Sequence, residues 1–379
     1  MSKVNDLIGI SNGYGNSQCC GCEACSVSCP KQCLEMQTDS QGFYYPVFSN
    51  QDACIDCGLC SLVCPVLNPY DKKTRNSCSA AYSDEVDRQT CSSGGINTLV
   101  AKHVIQQGGV VFGARFNSDW DVVMDFTEKL SDLHLFSSSK YVQAYPNGVF
   151  KKVLSYLRQD RIVLFTGLPC QVSGLKHFLK KDYSNLITIS CLCHSVPSPK
   201  VWRKFLNENC NEDMISSFNF RDKSNGWQNY SFKVKYANGH EQNIIAKKQY
   251  MDAMLKNLST RPSCSSCLFK GGKSHADIEL GDCWGAETIC PDFYDEEGMN
   301  IVITYSLKGQ QLLDKLSLKS QAININESMR FNEGLSKSTP IHPNQRWFFK
   351  LLNHMKFNKA VSICLCTSKM SMLKHLLLR

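Results

Sequence analysis

Eight cysteines near the start of the chain repeat one spacing. Each set runs C-x2-C-x2-C-x3-C, and a proline follows its last cysteine, at Pro30 and at Pro65. This spacing lets three successive thiolates and the nearby amides surround a 4Fe-4S cluster, while the fourth cysteine of each set reaches the other cluster. The repeat therefore predicts two clusters with crossed ligands, one held by Cys19, Cys22, Cys25 and Cys64, the other by Cys54, Cys57, Cys60 and Cys29.

Structural zinc sites are the alternative use of such cysteines. They are built from two C-x2-C pairs separated by a longer loop, and not from three cysteines at successive x2 spacings. Cys20 and Cys33 lie outside the repeat and are interpreted as small packing residues. Between the two sets, the aromatic residues 42 to 47 predict a strand that covers the clusters, and residues 68 to 73 read as a polar linker.

Composition supports a reducing compartment. A chain of 379 residues with 42% hydrophobic content can bury its cores without disulfides, so 22 cysteines indicate metal or redox chemistry in a cytoplasmic protein. The N-terminus has no apolar signal segment, and no apolar run reaches the roughly 18 residues of a membrane span, so we expect no transmembrane segment. The formal charge of +8 falls to about +2 if three clusters each contribute about −2. No nucleic-acid partner is therefore predicted from the basic charge.

The elements after the cysteine repeat alternate between helix and strand. Ser93, Gly94 and Gly95 precede a predicted helix over 96 to 105, and a buried strand follows over 110 to 114. Amides at such a helix start can hold a phosphate, although an ordinary helix cap is the alternative. A second strand over 161 to 167 leads through Cys170 into a helix over 172 to 180, and α/β sheets place their sites at such strand ends.

A hairpin is predicted later in the chain, flanking the active site. Its strands are residues 232 to 236 and the return at Ile244 and Ile245, around a turn at Asn238 and Gly239. Four residues before it are candidate contacts for an anionic or ring-shaped substrate, with a solvated charge run as the alternative: Arg221, Asp222, Lys223 and Trp227.

Five further segments carry a family resemblance. They are Ser92-Ser93-Gly94-Gly95, Ser139-Lys140-Tyr141-Val142-Gln143, Thr166-Gly167-Leu168-Pro169-Cys170-Gln171, Cys193-His194-Ser195-Val196-Pro197-Ser198-Pro199, and Arg261-Pro262-Ser263-Cys264-Ser265-Ser266-Cys267 leading to Gly281-Asp282-Cys283-Trp284-Gly285. In this order they resemble the family of coenzyme F420 hydrogenase/dehydrogenase beta subunits over residues 78 to 310. The fused ferredoxin domain resembles the dehydrogenase and bacterial members, including those found with polysaccharide biosynthesis proteins.

The resemblance implies a flavoprotein that binds FAD beside a third 4Fe-4S cluster. The implied cluster ligands are Cys170, Cys193, Cys264 and Cys267. Cys191 is the alternative to Cys193, and a zinc half-site of Cys264, Cys267 and His275 is the alternative to the cluster. The flavin is expected against Ser93, Gly94, Gly95, Lys140 and Tyr141.

His194 is the candidate for proton delivery, because imidazole titrates near neutral pH. A structural hydrogen bond beside the cluster is the alternative role.

The predicted fold is an α+β ferredoxin-like two-cluster domain followed by an α/β flavin- and cluster-binding domain. We divide the chain into residues 1–70, the two halves 71–153 and 154–322 of the second domain, and a helical extension over 323–379. A terminal helix over 370–379 is expected to dock on the core. The predicted function is an iron-sulfur flavoprotein oxidoreductase that passes electrons between clusters and FAD to a two-electron acceptor. A non-catalytic electron-transfer subunit is the alternative. The expected partners are a redox protein or a small electron donor or acceptor, within a possible larger complex.

Overall fold

The N-terminal part of the chain forms two short hairpins and two short helices. The computed structural model describes residues 7–244 and 247–366. The elements are β1 (Ile10–Ser11), β2 (Tyr14–Gly15), α1 (Ala24–Ser28), β3 (Leu34–Thr38), β4 (Tyr44–Phe48) and α2 (Leu59–Leu62). The aromatic segment predicted as a strand is β4, which pairs antiparallel with β3. Phe43 and Tyr45 are fully buried.

The cysteine repeat is also a repeat of backbone conformation. Gly21 and Glu23 have positive φ angles of 71° and 64°, and the residues 35 positions later, Asp56 and Gly58, have φ angles of 51° and 71°. Glu23 and Gly58 directly precede α1 and α2. Left-handed residues among right-handed ones turn successive N–H groups to one side, which makes a concavity that favours anions.

The rest of the described chain is built on one mixed sheet of eight strands in the order β15-β5-β14-β13-β9-β8-β6-β7. These strands are β5 (Ser77–Tyr82), β6 (Val110–Phe116), β7 (Val122–Thr127), β8 (Val163–Gly167), β9 (Leu186–Cys191), β13 (Ile278–Asp282), β14 (Asn300–Thr304) and β15 (Lys319–Ala322). The four central strands, from β13 to β6, run parallel. Val163, Leu164 and Phe165 of β8 are fully buried, as expected of a parallel strand covered on both faces.

Helices cover the two faces of this sheet. They are α3 (Ile96–Gln106), α4 (Leu133–Phe136), α5 (Val149–Arg158), α6 (Pro169–Leu179), α7 (Pro199–Asn209), α8 (Lys247–Leu255), α9 (Ala286–Ile289), α10 (Leu307–Leu313), α11 (Ile325–Ser328), α12 (Gln345–Leu352) and α13 (Phe357–Leu365). The predicted helices after Gly95 and Cys170 are confirmed as α3 and α6. Pro169 begins α6, where its missing N–H costs nothing.

A smaller antiparallel sheet of three strands lies beside the main one. It consists of β10 (Ile215–Asp222), β11 (Ser231–Tyr236) and β12 (Glu241–Asn243). The hairpin predicted around Asn238 and Gly239 is confirmed, with a return strand that ends just before Ile244. Ile245 and residues 370–379, including the predicted terminal helix, lie outside the described residues. In the described ranges, the helices are all too short or too polar to cross a bilayer.

The N-terminal unit packs directly on the main domain. Helix α1 contacts α5 and α6. Gly174 of α6 faces Cys22 so closely that a Cβ added at Gly174 would lie 2.8 Å from both the Cβ and the Sγ of Cys22. The Nε2 of His177, also in α6, lies 2.7 Å from the carbonyl oxygen of Asn68, within hydrogen-bond distance. The contacts therefore join the N-terminal unit to α6, the helix whose first turn contains Cys170.

Candidate functional site

The cysteines of the N-terminal repeat line two separate cavities. One cavity is bordered by Cys19, Cys22, Cys25 and Cys64, and the other by Cys29, Cys54, Cys57 and Cys60. These are the two crossed sets that the sequence assigns to the two clusters. Cys19, Cys22 and Cys64 are buried, whereas Cys54 and Cys57 are exposed. The first cavity therefore lies inside the protein and the second lies at its surface.

Both cavities have the chemistry that an anionic cluster needs. Each is lined by its four predicted ligand cysteines and by one further cysteine, Cys20 in the first and Cys33 in the second. Each also has the left-handed turns that direct backbone N–H groups inward. The backbone N–H of Cys33 already donates to the Sγ of Cys29 over 3.3 Å, and N–H···S bonds of this kind stabilise a cluster-bound thiolate. The residues present therefore fit two 4Fe-4S clusters.

The structure brings the four later cysteines together from three segments. Cys170 stands in the first turn of α6, and Cys193 follows β9. Cys264 lies within a short 3-10 helix at Pro262–Ser266, and Cys267 directly follows that helix. Cys193 interacts electrostatically with Cys264 and Cys267, and Cys170 interacts with Cys193 and Cys267. The four thiols therefore form a third group that fits one further cluster.

The thiols of Cys191 and Cys193 have different neighbours. The thiol of Cys191 interacts with the buried carboxyl of Glu279, and burial raises its pKa to about 11. Burial also raises the pKa of Cys264 to about 11 and the pKa of Cys193 well above its usual range. Thiols in such sites stay protonated at neutral pH unless a positive metal centre holds the thiolate. The interactions of Cys193 favour it over Cys191 as a ligand.

The alternative zinc half-site does not form. The Nε2 of His275 is hydrogen-bonded to the carbonyl of Asp71 over 2.8 Å, and its ring stacks on Tyr70. In the ranges that the structure describes, no three His, Cys, Asp or Glu side chains converge on a point that could hold a single metal ion. His275 is thus engaged away from Cys264 and Cys267.

A cavity of about 690 Å³ lies at the carboxyl ends of the central parallel strands. The ends of β8, β9 and β13 border it, and so do the first residues of α3 and α6. Cys191 and Cys193 form part of its wall, which places the third cysteine group beside it. Two helix N-termini give this wall a positive potential that suits the phosphates of a dinucleotide. The volume and the partly apolar wall fit a ligand of that size.

The predicted glycine loop contributes only in part to this cavity. Ser93 and Gly95 line it, and Gly95 has a φ of 81° at the start of α3. Gly94 is turned toward the sheet, where an added Cβ would lie 2.5 Å from the carbonyl oxygen of Ala81. The hydroxyl of Ser93 donates to the carbonyl of Met299. Gly94 is therefore needed for packing of the loop on β5 and β14.

Lys140 and Tyr141 also border the cavity, but their polar atoms are already engaged. The ammonium of Lys140 donates to the carbonyls of Leu135, Ser137 and Ser138 over 3.0, 2.6 and 3.3 Å. Burial lowers the pKa of Lys140 to about 7. The hydroxyl of Tyr141 accepts a 3.1 Å hydrogen bond from Arg221. The ammonium of Lys140 thus stabilises the loop at residues 135–138.

Arg221 and Asp282 form a buried ion pair on the cavity wall. The two guanidinium Nη atoms donate to the two carboxylate oxygens over 3.0 and 3.1 Å, and Arg221 also donates to the carbonyl of Ser92. Tyr230 lies below the guanidinium at 4.1 Å, and Trp284 lies 5.4 Å away. The ring of Trp227 stacks on that of Trp284 with centroids 4.9 Å apart. Of the four substrate-contact candidates, Arg221 alone lines this cavity.

The other candidates of that group have structural contacts. Asp222 caps a turn through its bonds to Ser224, and Lys223 donates to the carbonyls of Ser93 and Glu297. Burial lowers the pKa of Lys223 to about 8. Trp227 donates a 3.3 Å hydrogen bond to Asp282. These three residues therefore support the cavity wall without lining it. The alternative prediction of a solvent-exposed run of charges is wrong for Arg221 and Lys223, because both are buried.

His194 stands on the cavity wall next to Cys193. Its Nε2 lies 3.0 Å from the Oδ1 of Asn257, and an amide oxygen only accepts, so we assign the ring proton to Nε2. Burial lowers the pKa of His194 below its usual value. The imidazole is therefore neutral at pH 7, with Nδ1 free of the proton.

Three residues make contacts in the site that the sequence interpretation did not assign to them. The thiol of Cys20 lies within hydrogen-bonding reach of Cys22 and Cys170, so it sits between the first and third cysteine groups and does more than fill space. Arg261 is buried beside Cys19, and Gln143 accepts from both Arg261 and the amide of Tyr44. The sequence shows Cys20 in a C-C-x-C run and shows Gln143 and Arg261 within the family motifs. It does not show that the three side chains lie close together, because that depends on long-range packing.

Comparisons with known proteins agree with this architecture. The model of the family described as coenzyme F420 hydrogenase/dehydrogenase, beta subunit (C terminus), matches residues 160–328, and that of a 4Fe-4S dicluster domain matches residues 18–68. The chain is 20% identical over 215 residues to one of the subunits of F(420)H(2) dehydrogenase from Methanosarcina mazei. That alignment covers 53% of this chain and only 61% of the relative's length.

One solved structure is also similar. A chain of the xenon-derivatised F420-reducing NiFe hydrogenase complex from Methanosarcina barkeri aligns with 16% identity and a TM-score of 0.45, over 77% of this chain and 91% of that chain. The two matched families confirm the resemblance carried by the cysteine repeat and by the later motifs. The chain thus carries a domain of the coenzyme F420 hydrogenase/dehydrogenase beta subunit family over residues 160–328, preceded by a 4Fe-4S dicluster domain over residues 18–68.

Proposed function

We propose that the protein is an iron-sulfur flavoprotein oxidoreductase with three 4Fe-4S clusters and one FAD. The observation that carries the proposal is the series formed by the three cysteine groups. Cys60 of the surface group interacts electrostatically with Cys25 and Cys64 of the buried group. Cys22 of the buried group packs on α6, which contains Cys170 of the third group. The third group ends on the wall of the 690 Å³ cavity. This order leads from the protein surface to the cavity.

FAD, when bound, exchanges single electrons with iron-sulfur clusters and electron pairs with an acceptor. The chain's own residues would prepare the cavity for it. The N-terminal turns of α3 and α6 attract the phosphates, and the Arg221 and Asp282 pair fixes Tyr141 and the loop at Ser92. Aromatic and aliphatic side chains on the wall exclude water from a planar ring.

His194 is the residue we propose for proton delivery. Because its Nε2 proton is held by Asn257, the imidazole keeps one orientation on the cavity wall. A neutral ring with a lowered pKa takes up a proton at Nδ1 only transiently at neutral pH, which suits exchange with an acceptor.

A purely relaying subunit is the second candidate function. The relative in Methanosarcina mazei is by name one of the subunits of F(420)H(2) dehydrogenase, so this chain too would act within a larger complex. The surface position of Cys54 and Cys57 supports contact with a redox partner. Under this alternative the clusters would be present and the cavity would retain no flavin.

Cofactor content after anaerobic purification tests the proposal. We expect about twelve iron, an equal amount of sulfide and one FAD per chain. The Cys193→Ser variant should drop to about eight iron, and the matched Cys191→Ser variant, two residues away, should keep about twelve. Full iron without flavin, after reconstitution with FAD, would favour the relay. About eight iron in the wild type would refute the third cluster.

A further inference from the structure

Arg261 is a buried positive charge without a carboxylate partner. It is 1% exposed, and the groups that interact with it most strongly among the described residues are Tyr45 and three cysteines, with no carboxylate among them. Asp39 interacts with it at longer range, but that carboxylate accepts its hydrogen bonds from the amides of Gly15, Gln41 and Phe43. A buried guanidinium with no counter-ion strongly destabilises a fold. Some anionic group outside the polypeptide must therefore balance it.

The surroundings of Arg261 show where that negative charge lies. The Nε donates to the carbonyl of Cys19 over 3.0 Å, and the guanidinium interacts electrostatically with Cys19, Cys20 and Cys264. Cys19 belongs to the first cysteine group and Cys264 to the third. The amide of Cys264 also donates to the carbonyl of Arg261, so the residue and this cysteine share one turn. The guanidinium thus lies between the first and third groups.

The packing holds the guanidinium firmly in this place. It stacks on the ring of Tyr45 at 4.0 Å, and Nη1 donates to Gln143 over 3.3 Å. A Cβ added at Gly21, which has a φ of 71°, would lie 3.1 Å from its central carbon. The Nη2 atom has no hydrogen-bond partner among the described residues. A buried donor of this kind requires an acceptor, and cluster sulfur is one.

We propose that Arg261 is the shared counter-charge of the first N-terminal cluster and the third cluster, and that it raises the reduction potential of both. The inference rests on the proposed clusters. Reduction adds a negative charge to a cluster, so a fixed positive charge between two clusters makes both easier to reduce. The surface cluster at Cys54 and Cys57 has no such neighbour in the interactions of Arg261 and keeps its own potential.

Redox titration followed by EPR tests this role. In Arg261→Gln we expect reduction of the first and third clusters to become about tenfold less favourable, which corresponds to about 59 mV for a one-electron couple. The surface cluster serves as the internal reference and should not shift. Arg261→Lys keeps the charge and should lie closer to the wild type. Arg88→Gln is the matched control, since Arg88 is also buried but pairs with Asp295 and Glu297.

The outcomes separate this inference from the proposed function. Fewer than about twelve iron in the wild type would refute the third cluster itself. Full iron with unchanged potentials in Arg261→Gln, or an equal shift of all three clusters, would overturn the role of Arg261 alone. If Arg261→Gln loses the first and third clusters, retention of both in Arg261→Lys supports the required charge. Loss in both variants overturns it, because the shape of arginine would then be what matters.

Discussion

Gly174 of α6 determines how closely the N-terminal unit approaches the main domain. A Cβ in the Gly174→Ala variant would lie 2.8 Å from the Cβ and Sγ of Cys22, nearer than side chains tolerate without movement. Alanine favours a helix over glycine by about 1 kcal/mol. Overpacking of a tight site costs about 1 to 3 kcal/mol. The contact is with Cys22, a buried residue and a proposed cluster ligand, so we expect the overpacking cost to exceed the gain in helix propensity, with a net loss of about 1 kcal/mol.

Thermal unfolding and iron content of anaerobically purified Gly174→Ala measure this loss. We expect a Tm lowered by a few degrees and an altered EPR signal from the first cluster, because Cys22 must move. Ser173→Ala is the matched control, since Ser173 is fully buried in the same helix and its hydroxyl has no partner among the described residues. That variant should be neutral or slightly stabilising.

A higher Tm in Gly174→Ala with an unchanged EPR signal would refute the reasoning. It would mean that helix propensity alone governs this position, and that Cys22 does not pack on α6. The short path from the first cysteine group to the third would then lose its support.

Three further perturbations test the sheet and the cavity. Burial raises the pKa of Glu279 to about 7 from 4.5, so the folded state keeps a proton that the unfolded state loses, and stability should fall by about 3 kcal/mol as pH rises from about 4.5 to 7. Tm measured across this range should decline in the wild type and stay flatter in Glu279→Gln, which still accepts from Tyr305. Arg221→Met should lower the Tm by leaving the Asp282 carboxylate without its partner, and the double variant with Asp282→Asn should recover part of the loss. His194→Asn should lower kcat for the two-electron acceptor and change its pH profile, while cluster reduction by a one-electron donor stays unchanged; equal effects on both reactions would argue for a structural role.

The sequence determined much of the local structure. The buried apolar run at Val163 and Leu164 predicted a strand, and the residues from 172 to 180 predicted the helix after it, which begins three residues earlier at Pro169. These elements are specified by residues close together in the chain, so periodicity and turn chemistry identify them. The two crossed cysteine sets belong to the same class, because a fixed spacing constrains a short loop.

Other features of the site depend on residues far apart in sequence. Lys140 borders the cavity, yet its ammonium is bound by three carbonyls of its own loop. Gly94 packs against the sheet and does not line the cavity. The place of Cys20 between two cysteine groups follows from how the N-terminal unit seats on α6. None of these contacts has a local signature in the chain.

Sequence spacing alone thus determined which cysteines form the N-terminal groups, because those ligands are neighbours in the chain. Tertiary structure decided which side chains meet between the groups. Arg261 and Cys19 are 242 residues apart, yet a 3.0 Å hydrogen bond joins them. Such a contact forms only when β4, α6 and the loop before Cys264 pack together. The same packing buries the guanidinium of Arg261, and burial is what makes an unpaired charge costly.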